Sequence, residues 1–365
     1  MGIVKRYVPI LRWKGSEKDA LLKLRPLERN AITPLIEFVM PNPKMNKERS
    51  IILKDSRAVL VDSLPSVAQD ILRCWGKEPV FIDVHLIDED LKSKALSAIL
   101  HSCNGLGIEA IPIICSATID ESRELRTVAV AFSKISHNGA CFRLGRKDIK
   151  NGNLENSIVG FINRNGLDVG SLDVLVDLGI VNDKDDPVLI ANDLSHLPML
   201  KDWRSFILSG GAHPKDLTLL RKHERHQLPR HDWMLWKGIA GQLTLVRRPI
   251  FSDYTIQYPI YESKYIPGMN ISASIRYTSD DTWEILRGEG LKNPKGDKYV
   301  QYIAWARLLI EQDFYKGCAY SFGDEYVNDK AAPDNIKTGS VQTWLCAGIN
   351  HHLVLSGKQS ANPVS

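Results

Sequence analysis

At 365 residues, 44% hydrophobic and 25% charged, the chain has a globular composition and can bury a sizeable core without disulfide or metal staples. Its net charge of +4 is spread over residues of both signs, too mild a balance to argue for nucleic acid by itself. The six cysteines (Cys74, Cys103, Cys115, Cys141, Cys318, Cys346) form no CxxC pair, and no apolar run approaches the roughly 18 residues of a membrane helix. A reduced, cytoplasmic protein with no cysteine-built zinc site and no membrane anchor is expected.

The first strand reads over residues 7–14 and ends at Gly15, with Ser16 as N-cap of a helix to residue 24. Residues 32–38 form the second strand, ending on Glu37, and a Pro-rich link leads to a helix over 56–75. The third strand (80–85) carries Asp83 and His85 at its end, followed by a helix over 88–106 closed by Gly107. A fourth strand (108–115) precedes a helix over 120–136, and a fifth (140–144), with Arg143, precedes a helix over 154–165.

Ser171-Leu172-Asp173-Val174-Leu175-Val176-Asp177-Leu178-Gly179 contains the sixth strand, an apolar run with Asp177 near its end. Such a run is typical of strands buried on both faces. Its helix spans 186–200, and the seventh strand is Ser205-Phe206-Ile207-Leu208-Ser209-Gly210-Gly211. Residues 216–241 read as helical with a break near Pro229, and 249–257, with Asp253, is the eighth strand.

Strand and helix thus alternate about every 30 residues, the span of a βαβ unit, which implies a parallel sheet with helical crossovers. Eight units match a (βα)8 TIM-like barrel over residues 1–257. An open dinucleotide-binding sheet would need a glycine-rich first turn, and Trp13-Lys14-Gly15-Ser16 is not one. Residues 258–355 form a C-terminal extension packed on the barrel, with a hairpin of 271–276 and 283–286 over the barrel mouth. A helix at 299–312, a loop at 321–324 and a last helix at 342–355 follow, then a flexible polar tail over 356–365.

In a barrel, the residues closing the strands converge on one rim: Lys14, Glu37, Asp83, His85, Arg143, Asp177, Ser209 and Asp253. Four carboxylates with a lysine and an arginine suit a divalent metal or phosphate-ester site, or a sugar or nucleotide pocket. Salt bridges that only fill the mouth are the alternative for each residue taken singly. Glu37, Asp83 and Asp177 are the candidate catalytic acids; Lys14, Arg143, Ser209, Asp253 and Arg276, in the hairpin, are candidate ligand-binding residues. Asp83 is taken to face the interior with His85 on the opposite face, and Ser209-Gly210-Gly211 is either a phosphate cradle or a tight turn.

His223, His226 and His231 lie among Arg221, Lys222, Arg225 and Arg230, the most basic stretch. On a helix His223 and His226 have metal-ligand spacing, but no HExxH motif is completed. A solvated basic face is the first reading, and a nucleic-acid patch with Trp233 and Trp236 stacking on bases the second. His351 and His352 are adjacent, so they do not share a helix face for a two-point metal grip.

Several stretches together resemble the beta family proteins, a bacterial and phage group named for the beta protein of a satellite phage. They are Tyr7-Val8-Pro9-Ile10-Leu11-Arg12-Trp13-Lys14, Ile32-Thr33-Pro34-Leu35-Ile36-Glu37, Phe81-Ile82-Asp83 and Asp177-Leu178-Gly179. Further along come Arg276-Tyr277, Leu286-Arg287-Gly288, Phe322-Gly323-Asp324 and Gly348-Ile349-Asn350-His351-His352. The resemblance implies a mobile-element protein encoded beside a toxic partner and linked to anti-phage defence; it carries over no catalytic residue. Three functions follow in order: a barrel component of a defence or toxin–antitoxin-like module that binds a protein partner or a ligand, a metal-assisted hydrolase of phosphate esters or nucleotides at the same rim, and a nucleic-acid binder through residues 221–236.

Overall fold

Strand segments with apolar side chains at successive positions must be covered on both faces, which a closed parallel sheet inside a helical shell achieves. The computed structural model, which describes residues 4–46, 51–115, 123–262 and 270–361, has this architecture. β1 (Tyr7–Arg12) is followed by α1 (Gly15–Leu22) and the short α2 (Pro26–Arg29). β2 (Leu35–Val39) leads through an antiparallel strand pair, β3 (Lys44–Asn46) and β4 (Ile51–Lys54), into α3 (Ser56–Cys74). β5 (Val80–Leu86) with α4 (Glu89–Gly105), and β6 (Ala110–Cys115) with α5 (Arg123–Ser136), form the next two units. β7 (Cys141–Gly145) precedes α6 (Arg146–Ile149) and α7 (Leu154–Asn165), and β8 (Asp173–Ile180) precedes α8 (Pro187–Ser195). β9 (Ser205–Gly211) and β11 (Ile250–Asp253) complete the barrel strands, with β10 (Glu224–Pro229), which lies outside the barrel, and α9 (His231–Ala240) between them. β12 (Ser272–Thr278), β13 (Thr282–Gly290), α10 (Gln301–Ile310), α11 (Phe322–Ala331) and α12 (Val341–Ala361) follow.

The barrel closes in the order β1-β11-β9-β8-β7-β6-β5-β2, and its neighbouring strands pair in parallel. Period-two alternation sorts its side chains. Val8, Ile10, Leu35, Phe81, Ile111 and Ile207 fill the interior, while Tyr7, Leu11, Ile36, Ile82, Phe142 and Leu208 pack outward under the helices. Asp186 caps α8 by accepting from the Val188 and Leu189 amides, and Gly107, at φ +68°, ends the turn after α4.

Residues 216–241 are not one helical region. Glu224–Pro229 is extended and pairs antiparallel with β13, so the expected hairpin is a three-stranded sheet, β10-β13-β12. Partly buried His226 and Leu228 alternate with exposed Arg225, Gln227 and Pro229 in this strand, a two-residue period that the histidine spacing obscures. Ser16 lies inside α1 rather than capping it, since the helix begins at Gly15 after Lys14. Ser321 caps α11, so the expected loop at 321–324 opens a helix. The expected start of a helix at 120–122 and the end of the tail at 362–365 lie outside the described residues.

After β11 the chain leaves the barrel and returns as α12, which packs on α1 and β1 in the position of an eighth barrel helix. α12 continues to Ala361, past residue 355, with Ser356 and Ser360 buried. Asn350, fully buried, donates to the Ala20 carbonyl at 3.0 Å and accepts from the Gly323 amide at 3.1 Å, joining α12 to α1 and α11. No described helix is long and apolar enough to cross a membrane.

Gly348 sets the distance between α12 and the small sheet: a Cβ there would stand 2.6 Å from the Arg276 carbonyl oxygen and 2.9 Å from Ile256 Cδ1. Gly348→Ala is therefore expected to cost about 1–3 kcal/mol by overpacking. Urea unfolding checks this, as a lowered midpoint at unchanged slope; an unchanged midpoint would mean that α12 has room to move.

Candidate functional site

The register of the barrel brings Arg12, Glu37 and Asp83 into one row across β1, β2 and β5. Asp177 and Ser209 are partnered on β8 and β9. Each sits at an inward position near the C-terminal end of its strand, where (βα)8 barrels place their ligand sites. Arg143 enters from β7 and its guanidinium spans the opening. Nη1 donates to Glu37 Oε1 at 2.9 Å and to Asp83 Oδ2 at 2.6 Å; Nη2 donates to Asp177 Oδ2 at 2.7 Å and to the Tyr254 hydroxyl at 2.7 Å. The Tyr254 hydroxyl in turn donates to Asp177 Oδ2 at 2.5 Å.

Burial alone would raise the pKa of Asp83, but the charges of His85 and Arg143 and the hydrogen bonds from His85 hold it well below the usual carboxylate range. Burial likewise opposes ionisation of Asp177, and Arg143 with the Tyr254 hydroxyl outweighs it and lowers that pKa. Arg143 is kept charged in the same way, its burial overcome by the groups around it.

His85 belongs to this cluster, which corrects the expectation that it faces away from Asp83. Residues two apart on a strand share a face, and His85 Nδ1 lies 2.9 Å from Asp83 Oδ1. That contact makes Nδ1 the donor and leaves Nε2, 3.7 Å from Glu37 Oε1, as the titrating nitrogen. Burial would lower the His85 pKa; the Asp83 charge overrides it and the net shift is upward. The imidazole is 31% exposed, an acid–base group within reach of a ligand in the mouth.

Two of the proposed rim residues, Asp253 and Lys14, and the hairpin residue Arg276 stand elsewhere. Asp253 sits one position out of phase with the inward residues of β11, so it points under the helical shell. There it accepts from the Tyr7 hydroxyl at 2.6 Å and meets His352 Nε2 at 2.8 Å, fully buried. Lys14 lies beyond the end of β1, exposed, with Nζ 4.5 Å from the Tyr261 ring centroid. Arg276 is on β12 and donates to the Ile256 carbonyl at 3.0 Å; burial pulls its pKa down to about 10, and it makes no contact with the Arg143 cluster. Ser209 is inward and buried. Gly210 and Gly211 serve packing: a Cβ at either would stand 2.6 Å from Val181 or Pro259.

Arg12 and Tyr254 were not singled out from sequence. Arg12 follows Val8 and Ile10 at two-residue steps and is inward for that reason. It donates to the Tyr258 and Pro259 carbonyls at 2.7 Å each, drawing the segment after β11 over the mouth. Tyr254 continues the inward phase of Ser252, immediately after the strand ends. Counting alternate positions outward from the apolar interior would have found both.

Glu37, Asp83 and His85 present ligand atoms within 4.8 Å of one another, a spacing a metal ion accepts. Arg143 Nη1 already bonds the same two carboxylates, so a divalent cation would have to displace a guanidinium. The residues fit a metal poorly while Arg143 is in place.

The basic stretch is no metal site or stacking platform. His223 lies in a left-handed turn (φ 62°), and His226 is on strand β10 with Nε2 against the Arg221 carbonyl at 2.8 Å. Trp233 and Trp236 stack on each other at 5.1 Å and pack edge-on against Phe251, both 4% exposed. His351 and His352 diverge, as adjacency on a helix requires: His351 Nδ1 meets Asp324 Oδ2 and His352 Nε2 meets Asp253 Oδ2, each at 2.8 Å.

Fold and site together define a (βα)8 barrel whose mouth is organised on a buried arginine–carboxylate cluster. Residues 7–356 match the family model described as Beta protein, and the chain belongs to that family. No curated protein matches it.

Two predictions follow from this geometry. Arg143→Met leaves buried carboxylates without their counter-charge and is expected to destabilise by about 3–5 kcal/mol at neutral pH. The deficit should shrink in mild acid, as carboxylates no longer held down take up protons; urea unfolding at both pH values measures it, and an equal loss at both would contradict the electrostatic account. The raised pKa of His85 makes its stabilisation complete below the unfolded value of about 6.5 and lost as pH rises through the folded value. The depressed values of Asp83 and Asp177 act oppositely: their stabilisation is present above the unfolded value of about 3.9 and lost as pH falls through the folded ones. His85→Gln should therefore flatten the alkaline decline in melting temperature and, because the His85 charge also holds the Asp83 pKa down, soften the acid limb as well; an unaltered alkaline slope would assign that titration to another group.

Proposed function

We propose that this protein is the partner-binding component of an anti-phage defence or toxin–antitoxin-like module, and that its barrel mouth receives a polar or charged group of that partner. The observation that carries this reading is the state of the mouth's polar atoms. Its carboxylates are balanced internally by Arg143, Arg12 and His85, yet Ser209 Oγ is buried without a hydrogen-bond partner among the described residues, and Glu37 Oε2 and Arg12 Nε, an ion pair at 3.8 Å, have no hydrogen bond there either. A fixed set of open donors and acceptors around a compensated charge suits recognition of a polar group. Family membership supports the module context, with the partner encoded nearby.

A metal-assisted hydrolase acting on phosphate esters or nucleotides is the second reading, favoured by the gathering of Glu37, Asp83 and His85. It requires Arg143 to withdraw when the cation binds, with Asp177 and Tyr254 retaining its other edge. A nucleic-acid role is left with the exposed Arg221, Lys222 and Arg225 alone.

Co-purification with the products of neighbouring genes and a turnover screen with divalent cations separate the first two readings. Ser209→Val, which removes an open hydroxyl from the mouth, is expected to weaken partner binding about tenfold, the scale of one hydrogen bond left unmade. The screen should show no metal-dependent turnover. Turnover that depends on added cation and is abolished by Asp177→Asn would overturn the binding role.

A further inference from the structure

On the outside of the barrel, α5 and α7 follow the adjacent strands β6 and β7 but enclose an open groove of about 360 Å3 between them. Arg123, Arg126 and Arg164 line its walls with Thr127 and Asn165, over a floor of Val130 and Phe161. We infer that this groove is a binding site for a small phosphorylated ligand, held by the three guanidiniums.

Among the described residues, the arginines gather without a paired counter-charge. None of the three donates a side-chain hydrogen bond or forms an ion pair among the described residues. Arginines on neighbouring units behave otherwise: Arg146 is paired with Asp185 and Arg204 with Asp173. Arg123 and Arg126 are three residues apart on α5, so they present like charges on one helix face, which is unfavourable without a shared anion. Arg164 folds back over α7, its Nη1 3.1 Å from where a Gly160 Cβ would stand, and the bare glycine leaves it that position.

The remaining lining selects the ligand's chemistry. Thr127 spends its hydroxyl proton on the Arg123 carbonyl at 2.8 Å, and Asn165 Nδ2 donates to the Phe161 carbonyl at 2.9 Å. The unspent donors are therefore the second N–H of Asn165 and, in far greater number, the guanidinium N–H groups, whose planar fork matches phosphate oxygens. Phe161 is 8% exposed and set edge-on against Phe142 at 5.5 Å, a rigid floor rather than a face for stacking a base. Recognition thus falls on the phosphate. The volume lies in the range of about 300–1,000 Å3 typical of small-molecule sites. Glu124 and Glu155, exposed on the same helices, interrupt any longer basic track of the kind a polynucleotide backbone needs. The groove is formed by shell helices and does not depend on the role proposed for the barrel mouth.

Calorimetric titration of the full chain with pyrophosphate, ADP and a single-stranded oligonucleotide tests the site, using Arg126→Gln, Arg164→Gln and the charge-conserving Arg126→Lys. Pyrophosphate and ADP should compete with each other, each Gln variant should weaken both about tenfold, and Arg126→Lys should fall between Gln and wild type. Without ligand, the Gln variants should melt at or above the wild-type temperature, because like-charge repulsion is relieved. The proposal is overturned by absence of pyrophosphate and ADP binding, by binding indifferent to both Gln variants, or by an oligonucleotide that outcompetes ADP. A lower melting temperature for the ligand-free variants would also overturn it, by giving the arginines a structural role.

Discussion

A guanidinium placed inside a barrel is the constraint on which the mouth depends. Arg143 is 9% exposed, and burying its charge costs several kcal/mol unless carboxylates and hydrogen bonds compensate. Those partners are Glu37 from β2, Asp83 from β5, Asp177 from β8 and Tyr254 just beyond β11. One side chain on β7 thereby fixes the ends of strands on all sides of the barrel, and their spacing follows from the size of a guanidinium. The same arrangement bears on the chemistry: the two carboxylates that stand with His85 at metal-ligand spacing hold an arginine. Acid–base capacity is left with His85, whose Nδ1 is committed to Asp83 and whose Nε2 is not.

A second buried network closes the barrel from outside. His352 joins Asp253 on β11 to the Thr278 hydroxyl on β12, while His351 joins Asp324 to the Thr278 carbonyl and stacks on Tyr277 at 3.9 Å. Burial would raise the pKa of Asp253; His352 and the Tyr7 hydroxyl override it and keep it depressed. Two adjacent histidines on α12 therefore seat the last helix against a barrel strand and against the inserted sheet. The small sheet and α10–α11 are an excursion between the eighth strand and the helix that covers it, and Asn350 and Gly348 hold the return in place.

The barrel and the general location of its candidate site were legible because apolar strands recur at βαβ spacing, all but the fourth ending on a polar residue. Glu37, Asp83, Arg143 and Asp177 were found this way. Errors came where strand phase mattered. Asp253 was placed at the rim because it ends a strand, although the inward phase of β11 runs through Ser252 and Tyr254. His85 was turned away from Asp83 although a two-residue step keeps the face. β10 was taken as helix because its basic residues obscured an alternation that only the pairing with β13 makes decisive.

Periodicity in this sequence determined the element types, the number of barrel strands and the strand-end acids, since these depend on local patterns of burial. The tertiary structure alone decided which strand-end residues meet, that Arg143 takes the place a cation would need, and that residues 341–361 supply the eighth helix. Each of these depends on register and on contacts between segments as far apart in sequence as β1 and α12. Local pattern does not encode such distances; closure of the barrel does.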